Sequence, residues 1–232
     1  MPSWGSGSMK IRAVVFDMDG VLIQRNLDYI RIRSEVFKEL VKAGIPREVL
    51  EDEPTASMMI QKARSYLASI RGEMAAEEAV SRALKAVEEI EEEAVPSTRP
   101  TPGIREVLAE LRKHGIRVIV LTNSGRDNSI KALARAGILE LVDEVYTRDD
   151  VSEMKPSSKA LLEVAEREGL KPEEMLMVGD SPVDVMAAMG AGTPVVGFAY
   201  TDRAKERLSR HGVKLIRTAG ELLAEVKKML NV

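Results

Sequence analysis

Short apolar runs rich in β-branched residues recur along this chain, and stretches with helical periodicity separate them. The six runs are residues 13–16, 118–121, 142–146, 175–178, 194–198 and 213–216. Strands that are apolar on both faces and alternate with helices are typical of a parallel sheet covered by helices on both sides. The alternation therefore predicts an α/β fold with a Rossmann-like parallel sheet core.

Residues 25–96 interrupt this alternation, because they contain helical patterns and no convincing strand. The first of these helical patterns has one apolar stripe, formed by Tyr29, Ile32, Val36 and Leu40. The segment ends in the prolines and small polar residues of VPSTRP, which suit a hinge. We predict an all-helical insert over residues 25–96 and an α/β core formed by residues 9–24 and 97–232. Residues 1–8, MPSWGSGS, are interpreted as a cloning remnant.

Composition excludes several classes of function. The 34 basic and 37 acidic residues nearly cancel, with a formal net charge of -3, so we expect no nucleic-acid partner. The sequence has no cysteine, which excludes disulfides and thiolate metal sites, and its two histidines cannot form a histidine-rich site. Without a long apolar run or an apolar secretory signal, we expect no membrane association and a cytoplasmic location. Metal chemistry, if present, must use oxygen ligands.

Polar and charged side chains follow several of the predicted strands, at the point where each strand ends. Because the carboxyl ends of parallel strands meet at one edge of the sheet, where ligands bind, these side chains should converge. A lysine precedes the helix that leads into one of these strands, so we expect it at the same edge. The converging residues are Asp17, Asp19, Thr122, Asn123, Ser124, Lys155, Asp180 and Asp184.

Four carboxylates brought together repel one another unless a cation neutralises them. A small set of oxygen ligands that leaves room for water and phosphate points to Mg²⁺. Mg²⁺ and Lys155 would stabilise the charge of a phosphoryl group in its transition state. An aspartate can then attack phosphorus while a second carboxyl group moves the proton. Asp17 and Asp19, two residues apart in an extended strand, would share one face for these two roles.

Four segments, in this order, resemble the signature motifs of the haloacid dehalogenase superfamily of phosphatases: DMDGVL, LTNS, the lysine of MKPSS, and GDSPVD. The helical insert after the first motif resembles the cap of the subfamily that includes phosphoglycolate phosphatases, β-phosphoglucomutases and 2-haloacid dehalogenases. The resemblance covers the chain from Met9 onward. It implies a Rossmann-like core with an inserted helical cap domain. It also implies a Mg²⁺-dependent phosphatase that hydrolyses a small phosphomonoester through an aspartyl-phosphate, with phosphoglycolate favoured.

The resemblance also implies a role for each matched residue. Asp17 would be the nucleophile and Asp19 the general acid and base. Thr122 would bind the phosphoryl group, and Lys155 would hold the nucleophile and the phosphate together. Mg²⁺ would be bound by Asp17, Asp180 and the backbone carbonyl of Asp19. The substrate, or the residues around it, would be contacted by Asn123 and Asp184.

Several alternatives stay open at this point. Dehalogenases of the superfamily lack an acid at the position of Asp19, so this residue favours phosphoryl transfer. A sugar phosphomutase and a phosphonate hydrolase remain within the superfamily, the latter needing a cap lysine for a Schiff base. The candidates for that lysine are Lys38, Lys42, Lys62 and Lys85. A non-catalytic module that binds Mg²⁺ and phosphate is the alternative of another class.

The segment LIQRNLD departs from the Asp-Ser pair that many relatives carry just beyond the first motif. Arg25, Arg31 and Arg33 in and after it are interpreted as solvated helix residues, with a contact to an anionic substrate as the alternative. The expected partner is a small phosphorylated metabolite. The oligomeric state is left open between a monomer and a homodimer.

Overall fold

The computed structural model describes residues 11–230, and the predicted cloning remnant lies outside this range. The chain divides into two compact units. One unit, here called the sheet unit, contains the described residues up to Arg25 and those from Thr98 onward. The other, the helical unit, is Asn26–Ser97.

Six parallel strands form the main sheet of the sheet unit. Within residues 11–230 the chain forms eight strands: β1 (Ala13–Phe16), β2 (Ile23–Gln24), β3 (Arg99–Pro100), β4 (Arg117–Leu121), β5 (Glu144–Tyr146), β6 (Met175–Gly179), β7 (Val195–Phe198) and β8 (Lys214–Ile216). The main sheet has the order β5-β4-β1-β6-β7-β8, and each neighbouring pair is parallel. The predicted α/β fold is confirmed, and each predicted strand forms with its ends shifted by two residues or fewer.

Helices cover the sheet and make up the helical unit. The described residues form these helices: α1 (Tyr29–Lys42), α2 (Arg47–Leu50), α3 (Ala56–Arg71), α4 (Glu73–Ala94), α5 (Ile104–Lys113), α6 (Arg126–Arg135), α7 (Lys159–Glu168), α8 (Pro182–Ala191), α9 (Asp202–Leu208) and α10 (Ala219–Leu230). None of these helices combines the length and the apolar character that a bilayer crossing requires.

The side chains of β1 alternate between two apolar layers. Val14 and Phe16 belong to a cluster that includes apolar residues of α5 and α10. Ala13 and Val15 belong to a second cluster, with residues of α7 and α8. All four side chains are fully buried. Burial on both faces explains why this strand reads as a continuous apolar run in the sequence.

The strand order changes direction at β1. The chain first adds β4 and β5 on one side of β1, and then β6, β7 and β8 on the other. Sheets of this type bind ligands beyond the carboxyl ends of the strands at such a reversal. Asp17 directly follows β1 and Asp180 directly follows β6, so both lie at the reversal.

A second, two-stranded sheet was not predicted from the sequence. Here β2 and β3 pair antiparallel, with Ile23 opposite Pro100 and Gln24 opposite Arg99. The side-chain amide of Gln24 donates a hydrogen bond of 3.0 Å to the Thr101 hydroxyl. Two residues in each strand are too few to show any periodicity. The ribbon joins the two places where the chain leaves and re-enters the sheet unit.

The helical unit has its own apolar core. Helix α4 packs against both α1 and α3. The predicted stripe of α1 is correct for Ile32, Val36 and Leu40, which are buried. It is wrong for Tyr29, which is 57% exposed, because this residue begins the helix and precedes the first turn that reaches the core.

We predict that Leu40→Ala lowers the free energy of unfolding by about 2–5 kcal/mol, because it leaves a cavity where a fully buried side chain was. The measurement is urea unfolding followed by circular dichroism. The control is Ile30→Ala in the same helix, where the side chain is 79% exposed, and a change within about 0.5 kcal/mol is expected. Equal losses in the two variants would contradict the core position of Leu40.

Candidate active site

Lys155 is the centre of the site, although it is fully buried. Its Nζ donates to Asp17 Oδ1 at 2.6 Å, to the Leu121 carbonyl at 2.7 Å and to Asp184 Oδ1 at 2.7 Å. These three acceptors satisfy all three donors of an ammonium group. Burial alone would lower the pKa of Lys155, but attraction to Asp17 and Asp184 outweighs it and raises the pKa, so the lysine is charged.

Three carboxylates meet beside this lysine. Oxygens of Asp17, Asp180 and Asp184 all lie within 4.8 Å of one another. Burial raises the pKa of Asp17 well above its usual value. Attraction to Lys155 lowers this pKa, and repulsion from the other two carboxylates raises it. Burial and repulsion from Asp184 also raise the pKa of Asp180 to about 7. The cluster therefore holds more negative charge than the fold itself neutralises.

A divalent cation would relieve this excess, and the cluster fits Mg²⁺. All the donors are carboxylate oxygens, the ligands that this hard ion prefers. Octahedral ligands at about 2.1 Å from Mg²⁺ lie about 3–4 Å from one another, and one oxygen of Asp17 and one of Asp180 lie within 4.8 Å of each other. The sign of the charge is also right, because three carboxylates face only two cations, Lys155 and the guanidinium of Arg207, which leaves an excess of negative charge.

Arg207, on α9, reaches Asp180 from the exposed side of the cluster. Its Nη2 lies 3.0 Å from Asp180 Oδ2, and about 40% of the arginine side chain is exposed. Attraction to this arginine lowers the pKa of Asp180 without cancelling the effect of burial. Nothing in the sequence indicated this contact, because the two residues are 27 positions apart and α9 carries no motif.

Asp184 ties the cluster to the start of α8. Its Oδ2 accepts hydrogen bonds from the backbone N–H of Ser181 at 3.1 Å and from the Ser181 hydroxyl at 2.7 Å. Both oxygens thus have partners inside the fold, because Oδ1 accepts from Lys155. A Cβ on Gly179 would lie 2.2 Å from the Cβ of Asp184, so only glycine fits at this strand end. Asp184 therefore supports the lysine and the helix.

The loop after β4 positions Lys155 from the other side. The Asn123 amide donates to the Lys155 carbonyl at 2.7 Å, and the Lys155 N–H donates to Asn123 Oδ1 at 3.0 Å. Thr122 is buried, and its hydroxyl accepts a hydrogen bond from the Ser124 N–H at 3.1 Å. Asn123 thus fixes the backbone of the lysine, a function that its place after a strand did not reveal.

The side chain of Asp19 is not a member of the three-carboxylate cluster, although its charge adds to the raised pKa of Asp180. Strand β1 ends at Phe16, so Asp19 belongs to the turn that follows and not to an extended strand shared with Asp17. Arg25 donates from Nε to Asp19 Oδ1 at 2.6 Å and from Nη2 to Asp19 Oδ2 at 2.8 Å. The expectation that Arg25 is a solvated helix residue is wrong, because its side chain is fully buried and precedes α1.

Gly20 allows the turn after Asp19 to approach Asp180. Its φ is +83°, a backbone conformation that residues other than glycine rarely adopt. A Cβ there would also lie 2.5 Å from Asp180 Oδ2. The motif DMDG therefore needs glycine for two independent reasons, and both bring its backbone to the carboxylate cluster.

The structure thus brings Asp17, Lys155, Asp180 and Asp184 together around one point. It places Thr122 and Asn123 in the adjoining loop, and Asp19 beside Arg25. Sequence reasoning missed the contacts of Arg25 and Arg207. The only sequence signal for Arg25 was that its segment, LIQRNLD, lacks the Asp-Ser pair of many relatives.

Comparisons with known proteins find similar sequences and similar folds. The profile of the haloacid dehalogenase-like hydrolase family matches residues 14–198. The chain is 32% identical to a phosphoglycolate phosphatase of Nitrosospira multiformis, over 83% of this chain and 85% of that protein. It is 27% identical to the pyrophosphatase PpaX of Bacillus cereus, over 88% and 90%. The structure of a HAD family hydrolase from Deinococcus radiodurans, with bound phosphate and sodium, superposes with a TM-score of 0.60 at 21% identity, over 96% and 97%.

We expect Lys155→Met to lower the free energy of unfolding by about 3–5 kcal/mol in the absence of metal. The reason is that the carboxylates of Asp17 and Asp184 would remain buried without their cation. Urea unfolding in EDTA measures this effect. Lys159→Met is the matched control, since its side chain is 62% exposed and pairs with Glu153 on the surface. Unchanged stability in Lys155→Met would show that the buried contacts are not formed.

The raised pKa of Asp180 predicts how pH affects the metal-free protein. This pKa is about 7 in the folded protein and about 3.9 in an unfolded chain. Between these values the folded protein binds the proton more tightly, so its stability falls as pH rises from about 4 to about 7. Because Mg²⁺ needs the ionised carboxylate, it should raise the Tm more at about pH 8 than at about pH 5.

Thermal unfolding in EDTA and in Mg²⁺ at the two pH values provides the measurement. Asp180→Asn is the comparison variant, and it should weaken both the pH dependence and the effect of Mg²⁺. An equal Mg²⁺ shift at both pH values would contradict the assignment of Asp180 as a ligand.

Proposed function

The chain belongs to the haloacid dehalogenase-like hydrolase family, and from this premise we propose that it is a Mg²⁺-dependent phosphatase. Its substrate would be a small phosphomonoester, hydrolysed through a phosphorylated Asp17. The observation that carries the proposal is the buried Lys155 between Asp17 and Asp184, with Asp180 beside them. This arrangement holds one carboxylate against a fixed positive charge at the ligand-binding edge of the sheet.

In the first step a carboxylate oxygen of Asp17 attacks phosphorus. A new O–P bond forms to Asp17 while the bond between phosphorus and the leaving oxygen breaks. Asp19 gives its proton to that oxygen, which departs as an alcohol. Lys155 keeps Asp17 in place and offers positive charge to the phosphoryl oxygens, and the Thr122 hydroxyl would donate to one of them.

In the second step Asp19, now a carboxylate, takes a proton from a water molecule. The water oxygen attacks phosphorus, and the bond between phosphorus and Asp17 breaks. Phosphate leaves, and both aspartates return to their starting protonation states. The same residue therefore acts first as an acid and then as a base.

Three groups of this chain would hold Mg²⁺: the carboxylates of Asp17 and Asp180 and the backbone carbonyl of Asp19. When bound, Mg²⁺ supplies positive charge to the phosphoryl oxygens and neutralises the carboxylate cluster. Asp184 would keep Lys155 in place, because both of its oxygens have partners in the fold.

The class of substrate is proposed from the relatives. A phosphoglycolate phosphatase and a pyrophosphatase both act on small phosphorylated compounds, as their names state. We propose a phosphorylated metabolite of this kind, with phosphoglycolate as the first compound to test. The helical unit, Asn26–Ser97, would serve as the cap that selects it. A cytoplasmic location and a monomeric or homodimeric state stay predictions that accompany this proposal.

A screen of phosphorylated metabolites with Mg²⁺ tests the substrate class, with released phosphate as the measured product. Transfer of phosphate to a second hydroxyl of a sugar phosphate, without release, would instead support the phosphomutase alternative. Cleavage of a carbon-phosphorus bond that depends on a cap lysine would support the phosphonate hydrolase. Binding of Mg²⁺ and phosphate without turnover would support the non-catalytic alternative.

We predict that Asp17→Asn lowers Mg²⁺-dependent hydrolysis of p-nitrophenyl phosphate by at least about 10³-fold, because it removes the nucleophile. Asp19→Asn should lower the hydrolysis of an alkyl phosphate by about 10²–10⁴-fold, because it removes the group that moves the proton. Steady-state kinetics at saturating Mg²⁺ measures both. Asp202→Asn, whose side chain is 90% exposed, is the control and should retain activity. Activity in Asp17→Asn equal to that of the unchanged protein would overturn the proposal.

A further inference from the structure

Arg25 holds the carboxylate of Asp19 with both arms of its guanidinium group. Nε contacts Oδ1 at 2.6 Å and Nη2 contacts Oδ2 at 2.8 Å. This two-point geometry fixes the rotation of the carboxylate as well as its position, which a lysine could not do. The orientation of Asp19 therefore depends on Arg25.

Ser124 joins this pair as a third member. Its Oγ lies 3.0 Å from Arg25 Nη2 and 3.4 Å from Asp19 Oδ2. Ser124 follows β4 and lies two residues beyond Thr122, the proposed contact of the phosphoryl group. The set Asp19, Arg25 and Ser124 thus links the turn after β1 to the loop after β4.

The backbone of Arg25 is also held in place. It directly follows β2, which pairs with β3, and the Gly20 N–H donates to the Ile23 carbonyl at 2.9 Å. The short turn between Asp19 and Arg25 is therefore closed by hydrogen bonds at both of its ends. An arginine on such a rigid turn can orient a carboxylate accurately.

Stability alone does not account for this arginine. Its side chain is 0% exposed and that of Asp19 is 13% exposed. Removing two charges from water costs about as much free energy as their attraction returns, so an apolar pair of similar volume would serve the fold equally well. What the ion pair provides, and an apolar pair cannot, is a defined direction for the carboxylate.

We propose that Arg25, assisted by Ser124, is the positioning residue of Asp19 and aims its carboxyl group at the leaving oxygen of the substrate. The inference rests on the proposed function, in which Asp19 reacts first in its protonated form, giving a proton to that oxygen, and then as the carboxylate that Arg25 holds in this structure. Arg25 acts through Asp19 and does not contact the substrate. The loss of activity caused by replacing Arg25 must therefore be larger for a substrate whose leaving group needs a proton more strongly.

Two aryl phosphates of nearly the same shape test this expectation. The p-nitrophenolate ion is stable enough to leave with little help, whereas phenolate needs protonation more strongly. The parameter to compare is kcat/KM, since it includes only the steps up to departure of the phenol. Arg25→Gln should lower kcat/KM for phenyl phosphate by about 10²-fold, as expected for a misplaced reactive group. For p-nitrophenyl phosphate the loss should be less than about 10-fold.

Combination with Asp19→Asn distinguishes positioning from a general structural role. If Arg25 acts only through Asp19, Arg25→Gln in the Asp19→Asn protein should change kcat/KM by less than about 3-fold. Arg25→Lys keeps the charge and should show a smaller loss with the same preference between the two esters. Ser124→Ala leaves the ion pair intact and should show the same preference more weakly, which tests the inference even if Arg25→Gln does not fold.

Arg217→Gln is the matched control, because this arginine pairs with an aspartate on the surface, and it should retain activity on both esters. Thermal unfolding of every variant establishes that it is folded. Equal losses on the two esters, or a full loss in the Asp19→Asn background, would overturn the positioning role and indicate a direct contact with substrate. Absence of turnover that depends on Asp17 in the unchanged protein would instead overturn the proposed function itself.

Discussion

The three hydrogen bonds of the buried Lys155 are the interaction on which the rest of the site depends. They join the ends of β1 and β4 to the start of α8, through Asp17, the Leu121 carbonyl and Asp184. Asn123 fixes the backbone of the lysine with two further hydrogen bonds. Since all these contacts lie within the fold, Asp17 is oriented before any ligand arrives. Such preorganisation means that little reorganisation is needed when charge develops.

Two aspartates of one short motif have opposite electrostatic surroundings. Asp17 shares its space with two more carboxylates and has Lys155 as its cation. Asp19 faces a single arginine that matches its charge. Different surroundings for neighbouring carboxyl groups are a general way to give them different chemical roles. The strand β1 ends at Phe16, so the two carboxyl groups do not share one face of an extended strand.

The sheet and the edge that carries the site could be predicted because they depend on local patterns. Apolar runs such as that of β1 identify strands, and the residues directly after a strand must lie at its end. Arg25 could not be predicted in the same way, because its partners depend on the turn that brings it back to Asp19. Arg207 approaches Asp180 because of the way α9 packs, and the spacing of residues in the sequence does not indicate that packing. The ribbon of β2 and β3 is too short to leave any pattern in the sequence.

That ribbon has a consequence for how such a chain can change. Because β2 and β3 are hydrogen-bonded neighbours, the backbone leaves and re-enters the sheet unit at points only about 5 Å apart. For the sheet unit, the segment between them is a loop whose two ends are held together. The entropy cost of closing such a loop rises only logarithmically with its length. An insert of another length or helix count could be exchanged at this junction while the sheet stays intact. The junction thus makes this part of the protein a replaceable module.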